Sequence, residues 1–317
     1  MFMTKQKKIT VGVICLFCAV LLIAGAPLFI RVYLKNQITF TVKDTLADGQ
    51  GKEATVILLG GQSNASGSSR DDYLQQKSIP EKYAEYQNGY DNVYINYLAG
   101  GRCSEGFVKC SVLQGEHEGY FGPELGLAER LHEAYPDETF FIIKCAWGGT
   151  NLYEQWRSPS AQGETGELYL QFVAYVKASL AYLEKKDYDI TVKGMCWMQG
   201  ESDSCTAEAA ADYGIYLADF IKDIRAEFKC YAPQEGMAFA DAYIANDPSF
   251  WVHCGLVNQA KRTVADRSPM NVIVDTVAAG LTRSEEPEGT PDLAHYDALS
   301  EIKLGHLFAD ALAPFLT

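Results

Sequence analysis

What this 317-residue chain lacks narrows its function before anything it contains does. Beyond residue 35 there is no Cys-x-x-Cys, and nowhere is there His-Glu-x-x-His, so a metal site has no positive signal. No Gly-x-Gly-x-x-Gly follows the first apolar run and no Walker lysine is present, which removes the support for a nucleotide-binding α/β protein. The Gly-x-Ser-x-Gly elbow is absent as well. Internal repeats and low-complexity tracts are missing, and 48% of the residues are hydrophobic, so a packed core is expected rather than disorder. Basic residues are few. Five of the 27 Lys and Arg lie in residues 1–35, which leaves 22 against 41 Asp and Glu in the rest. That balance repels nucleic acid and anionic lipid, and is otherwise what solubility asks of a surface.

The uncharged stretch is at the N-terminus. Val11 to Ile30 are twenty residues without a charge, the length that spans a bilayer core, with Lys5, Lys7 and Lys8 before them. Residues 1–10 therefore read as a cytoplasmic tail, 11–30 as a signal-anchor, and 31–54 as a linker, with the remainder held outside the cytoplasm. The competing reading is a cleaved signal peptide with Ala24-Gly25-Ala26 as its site and a secreted product, but Pro27 follows at once and the apolar run continues past it. Seven cysteines follow the anchor, an odd number that leaves at least one thiol free. Cys103 and Cys110 are close enough in a loop-like stretch to pair, whereas Cys145 and Cys196 fall inside apolar runs and read as buried small hydrophobes.

Along the body, β-prone runs alternate with amphipathic stretches. Strands are expected at 55–59, 92–98, 139–146, 190–197, 236–244 and 271–275, and helices at 122–135, 167–185, 207–228, 249–266 and 297–312. The alternation implies one α/β domain from residue 55 to 317, a three-layer α/β/α sandwich around a mostly parallel sheet.

In such sheets the site lies beyond the carboxyl ends of the strands. Reading only those ends gives Gly61-Gln-Ser-Asn64, Ala99-Gly-Gly101, Trp147-Gly-Gly-Thr150 and Gln199-Gly-Glu-Ser-Asp203, and the last helix is preceded by Asp292-Leu-Ala-His295. A hydroxyl, Gly-rich turns with free N–H groups, a carboxamide and an Asp/His pair together are what acyl transfer to serine requires. Of the five histidines, His295 alone has a loop carboxylate three residues before it; His117, between Glu116 and Glu118, is the rival base.

These blocks, with Gly122-Pro-Glu124 and Lys144, resemble the SGNH-hydrolase superfamily. Within it they are similar to the sialate O-acetylesterase and acetylxylan esterase group, carbohydrate esterase family six. Gln62 and the Gln-Gly-Glu block depart from the wider superfamily toward that branch. The resemblance implies a five-stranded, flavodoxin-like sheet, no cofactor, an acetylated carbohydrate as substrate and roles for named residues. Ser63 is then the nucleophile, His295 the general base and Asp292 its orienting acid. The oxyanion hole falls to the Ser63 and Gly149 N–H groups and the Gln199 carboxamide, with Glu201, Gln62 and Asn64 in support. Trp147 and Arg102 are candidates for substrate binding; Trp156 and Trp197 read equally well as core. Alternatives are a lipid or lysophospholipid esterase of the same superfamily and an inactive glycan-binding module, the latter opposed by the presence of both Ser63 and His295.

Overall fold

Uninterrupted apolar runs form the middle of a parallel sheet, because a strand covered on both faces has no polar side to alternate. The computed structural model describes residues 38–316. Ten strands occur there: β1 (Lys52–Gly61), β2 (Ser69–Arg70), β3 (Val93–Ala99), β4 (Arg102–Cys103), β5 (Val108–Lys109), β6 (Tyr120–Phe121), β7 (Phe140–Ala146), β8 (Tyr188–Met198), β9 (Ala238–Ala242) and β10 (Asn271–Val274). Six run parallel in the order β10-β9-β8-β1-β7-β3. That is one more than the five implied above, since β10 adds to the far edge against β9. The short β4 and β5 pair antiparallel with β3, and β2 with β6 form a separate ladder.

β1 is central. Val56, Ile57, Leu58 and Leu59 are fully buried, each contributing about 1.5–3 kcal/mol of transfer free energy. The chain leaves β1 toward β3, returns through β7, and then builds β8, β9 and β10 on the other side. The carboxyl end of β1 thus sits where the winding direction reverses, the place where open α/β sheets hold ligands.

The helices are α1 (Ser63–Ser66), α2 (Asp71–Lys77), α3 (Pro80–Asn88), α4 (Glu124–Ala134), α5 (Glu167–Lys185), α6 (Ala207–Glu227), α7 (Cys254–Ala265) and α8 (Ala298–Leu312). Adjacent residues of β8 show both covering layers. Gly194 faces Leu312 of α8, while Met195 and Trp197 face Phe172 of α5 across Gly60. Trp197 also packs on Phe220 of α6, with ring centroids 4.6 Å apart. The three-layer expectation holds.

Several local expectations change. The stretch between Ser63 and β3 contains α1, α2 and α3 rather than a loop, with Pro80 starting α3 and Asp71 and Asp72 in the first turn of α2. α7 starts at Cys254 instead of 249, because Asp247 accepts from the Ser249 N–H and hydroxyl and the His253 N–H is given to Ser204 O. Cys103 and Cys110 do not pair: Cys103 is exposed, while the buried Cys110 thiol donates to Glu124 O at 3.3 Å. The tail and signal-anchor at 1–30 lie outside the described residues. Among the residues described, no helix is long and apolar enough to cross a membrane.

Candidate active site

The turn that carries Ser63 is shaped by glycine. Gly61 has φ +138°, and a Cβ there would lie 2.0 Å from Met198 O, so only glycine lets β1 pass β8 this closely. Gln62 N–H then donates to Met198 O at 2.9 Å, and Ser63 opens α1, where its own N–H has no intrahelical acceptor.

Asn64, the next residue, is what brings the distant parts of the chain together. Its Nδ2 donates to Glu201 Oε1 at 2.9 Å and its Oδ1 accepts from Tyr296 N at 3.1 Å, with Ala294 O 3.5 Å from Nδ2. The residues on both sides of His295 are therefore fastened to the neighbour of Ser63. Ser69 adds a second tie, its hydroxyl donating to Tyr296 O at 2.6 Å. The Asn64 side chain is buried, so Asn64-Ala-Ser66 is closed to glycosylation although its sequence fits an acceptor.

His295 Nδ1 lies 2.7 Å from Asp292 Oδ2, and the other Asp292 oxygen accepts from Ala294 N at 2.9 Å. Partial burial raises the Asp292 carboxyl, but the His295 bond, the Ala294 N–H and the charge of His295 together bring it below its ordinary value. His295 Nε2 and Ser63 Oγ make no hydrogen bond among the described residues, leaving both to meet a substrate. Such contacts commonly close only in the complex. The rival base, His117, is exposed with its Nε2 3.9 Å from Glu116 Oε1.

The Gln199–Asp203 turn is a scaffold. Gln62 Oε1 accepts from Gly200 N, Ser202 N and Gln199 Nε2, each at 3.2 Å. Gln199 is fully buried and its amide also donates to Thr150 O and Asp203 Oδ2, at 3.1 and 2.5 Å, while its carbonyl accepts from Tyr213 OH. Both of its N–H bonds are thereby committed, and the carboxamide expected in the oxyanion hole instead fixes the Thr150 turn. Asp203, to which the sequence reading gave no role, accepts from Leu152 and Tyr153 N–H and joins the same two turns. Glu201 is 2% exposed; burial pushes its carboxyl up, against the Asn64 bond and the charges of Lys261 and His295.

On the opposite side, the Trp147–Thr150 turn is pinned by Trp147 N to Gly61 O at 3.1 Å and by the Thr150 hydroxyl to Trp147 O at 2.7 Å. Gly149 is exposed with φ +69°. Glu116, which no periodicity or motif marks, lies beneath this turn. It accepts from the Ser66 and Ser68 hydroxyls and sits against Gly148, joining α1 to the end of β7.

One expectation about side chains that bind substrate changes, and the two open tryptophans fall to the core. Arg102 donates to Leu113, Gly115 and His117 carbonyls, so its guanidinium holds a loop. Trp156 and Trp197 are fully buried and packed edge-on, centroids 5.2 Å apart. Trp147 remains half-buried beside Gly101. Among the described residues no group of three His, Cys, Asp or Glu is arranged to hold a metal.

With this arrangement in hand, comparison with known proteins is decisive at the level of family. The family model described as carbohydrate esterase, sialic acid-specific acetylesterase, matches residues 53–314. The chain belongs to this family. Its activity is that of a carbohydrate O-acetylesterase. No curated protein sequence matches it. Solved structures with a similar fold include a protein from Arabidopsis thaliana, with TM-score 0.60 and 19% identity over 84% of this chain and 100% of that one. NanS follows with TM-score 0.56 and 14% identity, over 84% and 98% of the two chains. A carbohydrate acetylesterase from Xanthomonas citri has TM-score 0.57 and 19% identity, over 82% of this chain and 56% of its own. At these identities the likeness concerns the fold.

Proposed function

We propose that this carbohydrate esterase works as a serine hydrolase through an acetyl-enzyme. Ser63 Oγ attacks the acetyl carbonyl while His295 Nε2 takes its proton, and Asp292 holds the ring in the tautomer that leaves Nε2 free. The tetrahedral oxyanion is met by the N–H groups of Ser63 and Gly149, one such donor being worth about 2.7–4 kcal/mol. Collapse releases the sugar hydroxyl, which receives the proton from His295. Water, activated by the same imidazole, then attacks the acetyl-Ser63 carbonyl and frees acetate and Ser63. Gln62, Asn64, Gln199 and Glu201 hold the three turns in place. The observation that carries this reading is the Asn64 side chain, which ties Ser63's neighbour to the residues flanking His295.

A p-nitrophenyl ester series tests it. The body from residue 38 onward should hydrolyse the acetate with kcat/KM at least about tenfold above the octanoate, an acetyl group being held among the fixed polar turns around Ser63. Preference for octanoate would instead favour the lipid esterase.

We also propose that residues 11–30 anchor the domain in a membrane with the esterase outside the cytoplasm. The support is the twenty-residue uncharged run and the lysines before it. The full chain should stay in the membrane pellet through carbonate washing and be degraded by protease added outside intact cells. A protein of reduced mass in the medium would show cleavage instead.

A further inference from the structure

One buried carboxylate touches the turns that follow three strands of the sheet, and the chemistry above gives it no step. Glu116 Oε2 accepts from the Ser66 hydroxyl at 2.5 Å, and Oε1 accepts from the Ser68 hydroxyl. The same two hydroxyls lie 3.2 and 3.4 Å from Ser63 O, and the Glu116 N–H donates to Gly67 O at 3.0 Å. Two serine side chains thus link Glu116 to the carbonyl of Ser63 itself. After β3, a Cβ on Gly100 would lie 2.7 Å from Glu116 Cβ. After β7, the three atoms nearest to a Cβ on Gly148 would all belong to the Glu116 carboxylate, with Oε2 at 2.7 Å.

The turn after β7 has other partners only at its two ends. Trp147 N–H donates to Gly61 O, and the Gln199 amide reaches Thr150 O. Between those anchors Gly148 rests on Glu116, while a Cβ on Gly149 would meet nothing within 4 Å. The oxygen that receives Ser66 is therefore also the one that sets how far this turn stands from Ser63. Ser63 and Gly149 carry the N–H groups assigned to the oxyanion. Such donors act at roughly 2.7–3.1 Å, so a shift of about 1 Å takes one out of range and can cost about 100-fold.

Glu116 is itself held from behind. Arg102 Nη1 donates to Gly115 O at 2.6 Å and to His117 O at 2.8 Å, the carbonyls on either side of it. Gly115 N–H donates to Tyr120 O at 2.9 Å and closes the same loop. Arg102 so fixes the backbone, and the carboxylate is left to the two serines.

We infer that Glu116, braced by Arg102, is a positioning residue that sets the spacing of the oxyanion donors on Ser63 and Gly149. This rests on the serine mechanism proposed above, with its donors as assigned there.

Three substitutions in the full chain test it. In Glu116→Ala, kcat on p-nitrophenyl acetate should fall about 100-fold. KM should stay within about twofold, because formation and hydrolysis of the acetyl-enzyme use the same donors. Methylboronic acid, which bonds to a serine hydroxyl as a tetrahedral anion, should lose affinity by a similar factor. Glu116→Gln can accept from one hydroxyl and donate to the other, and should return kcat to within about tenfold of wild type. Gly148→Ala keeps the carboxylate but puts a methyl where Oε2 lies, and should lower kcat by about tenfold. Should Glu116→Ala not fold, the other two variants decide. A folded Glu116→Ala or Gly148→Ala with wild-type kcat, a loss confined to KM, an unchanged boronate affinity, or a Gln variant no better than Ala would each overturn the inference. Ser63→Ala separates this from failure of the mechanism. If Ser63→Ala keeps wild-type rates and the boronate does not inhibit the wild type, the serine reading falls and the inference with it. An inactive Ser63→Ala beside an unimpaired Glu116→Ala confines the failure to Glu116.

Discussion

Ser63→Ala should lower kcat/KM on acetate esters by at least about 10⁴-fold, roughly 5 kcal/mol of transition-state stabilisation. The substitution removes only the hydroxyl. Ser63 sits in a turn held by backbone bonds and by its neighbours, through Gln62 N–H to Met198 O and through the Asn64 side chain, so the fold should be retained. What remains is the pair of N–H donors and the binding surface, which in serine hydrolases leave a residual rate above that of water. His295→Ala should lose a similar amount, and the double variant little more than either single, because nucleophile and base act as one unit. Steady-state rates beside near-UV circular dichroism would check this. Multiplying losses in the double variant, or a folded Ser63→Ala with wild-type rates, would remove Ser63 from the mechanism.

Much of this site was legible because the residues proposed for catalysis gather where strands end. β1, β7 and β8 announce themselves as apolar runs since both faces are covered, and the glycines after them mark turns with no room for a side chain. The Asp292–His295 offset lies within one loop, so its geometry was readable from spacing alone. Gln199 and Arg102 were placed correctly at the edge of the sheet but given functions their surroundings do not allow. Their donors are consumed by Thr150, Asp203 and the 113–117 carbonyls, partners 4 to 49 residues away that no local pattern names. Glu116 had no signal at all, being a carboxylate in a polar loop whose two serine partners lie about fifty residues earlier. Helices α2 and α3 escaped for a different reason. They are short and polar, and bury Leu74, Tyr83 and Tyr86 only because Phe121 and Ile302 come to meet them.

The largest expected loss of stability comes from a pair that touches no substrate. Lys144 and Glu124 are both wholly buried, Nζ 2.7 Å from Oε2, with Lys144 also donating to Gln114 O and Glu124 Oε1 accepting from Gly122 N. The pair clamps β7 to the segment from Gln114 to Gly122, which carries Glu116 and underlies the Gly148 turn. Beside it lies Glu301, also wholly buried. Its carboxyl is driven well above the usual range by burial and by the Glu124 charge, with Lys144 opposing. Lys144→Met would strand a carboxylate in this setting, at a cost of about 3–5 kcal/mol, a large share of the roughly 5–15 kcal/mol that holds a domain folded. A urea midpoint far below wild type is the expected result. Adding Glu124→Gln, which keeps the acceptor for Gly122 N and removes the charge, should recover most of the loss, because an uncharged polar group is far cheaper to bury than an unpaired ion. If the double variant unfolds as early as Lys144→Met alone, the lysine acts through packing and its bond to Gln114, and the charge account is wrong.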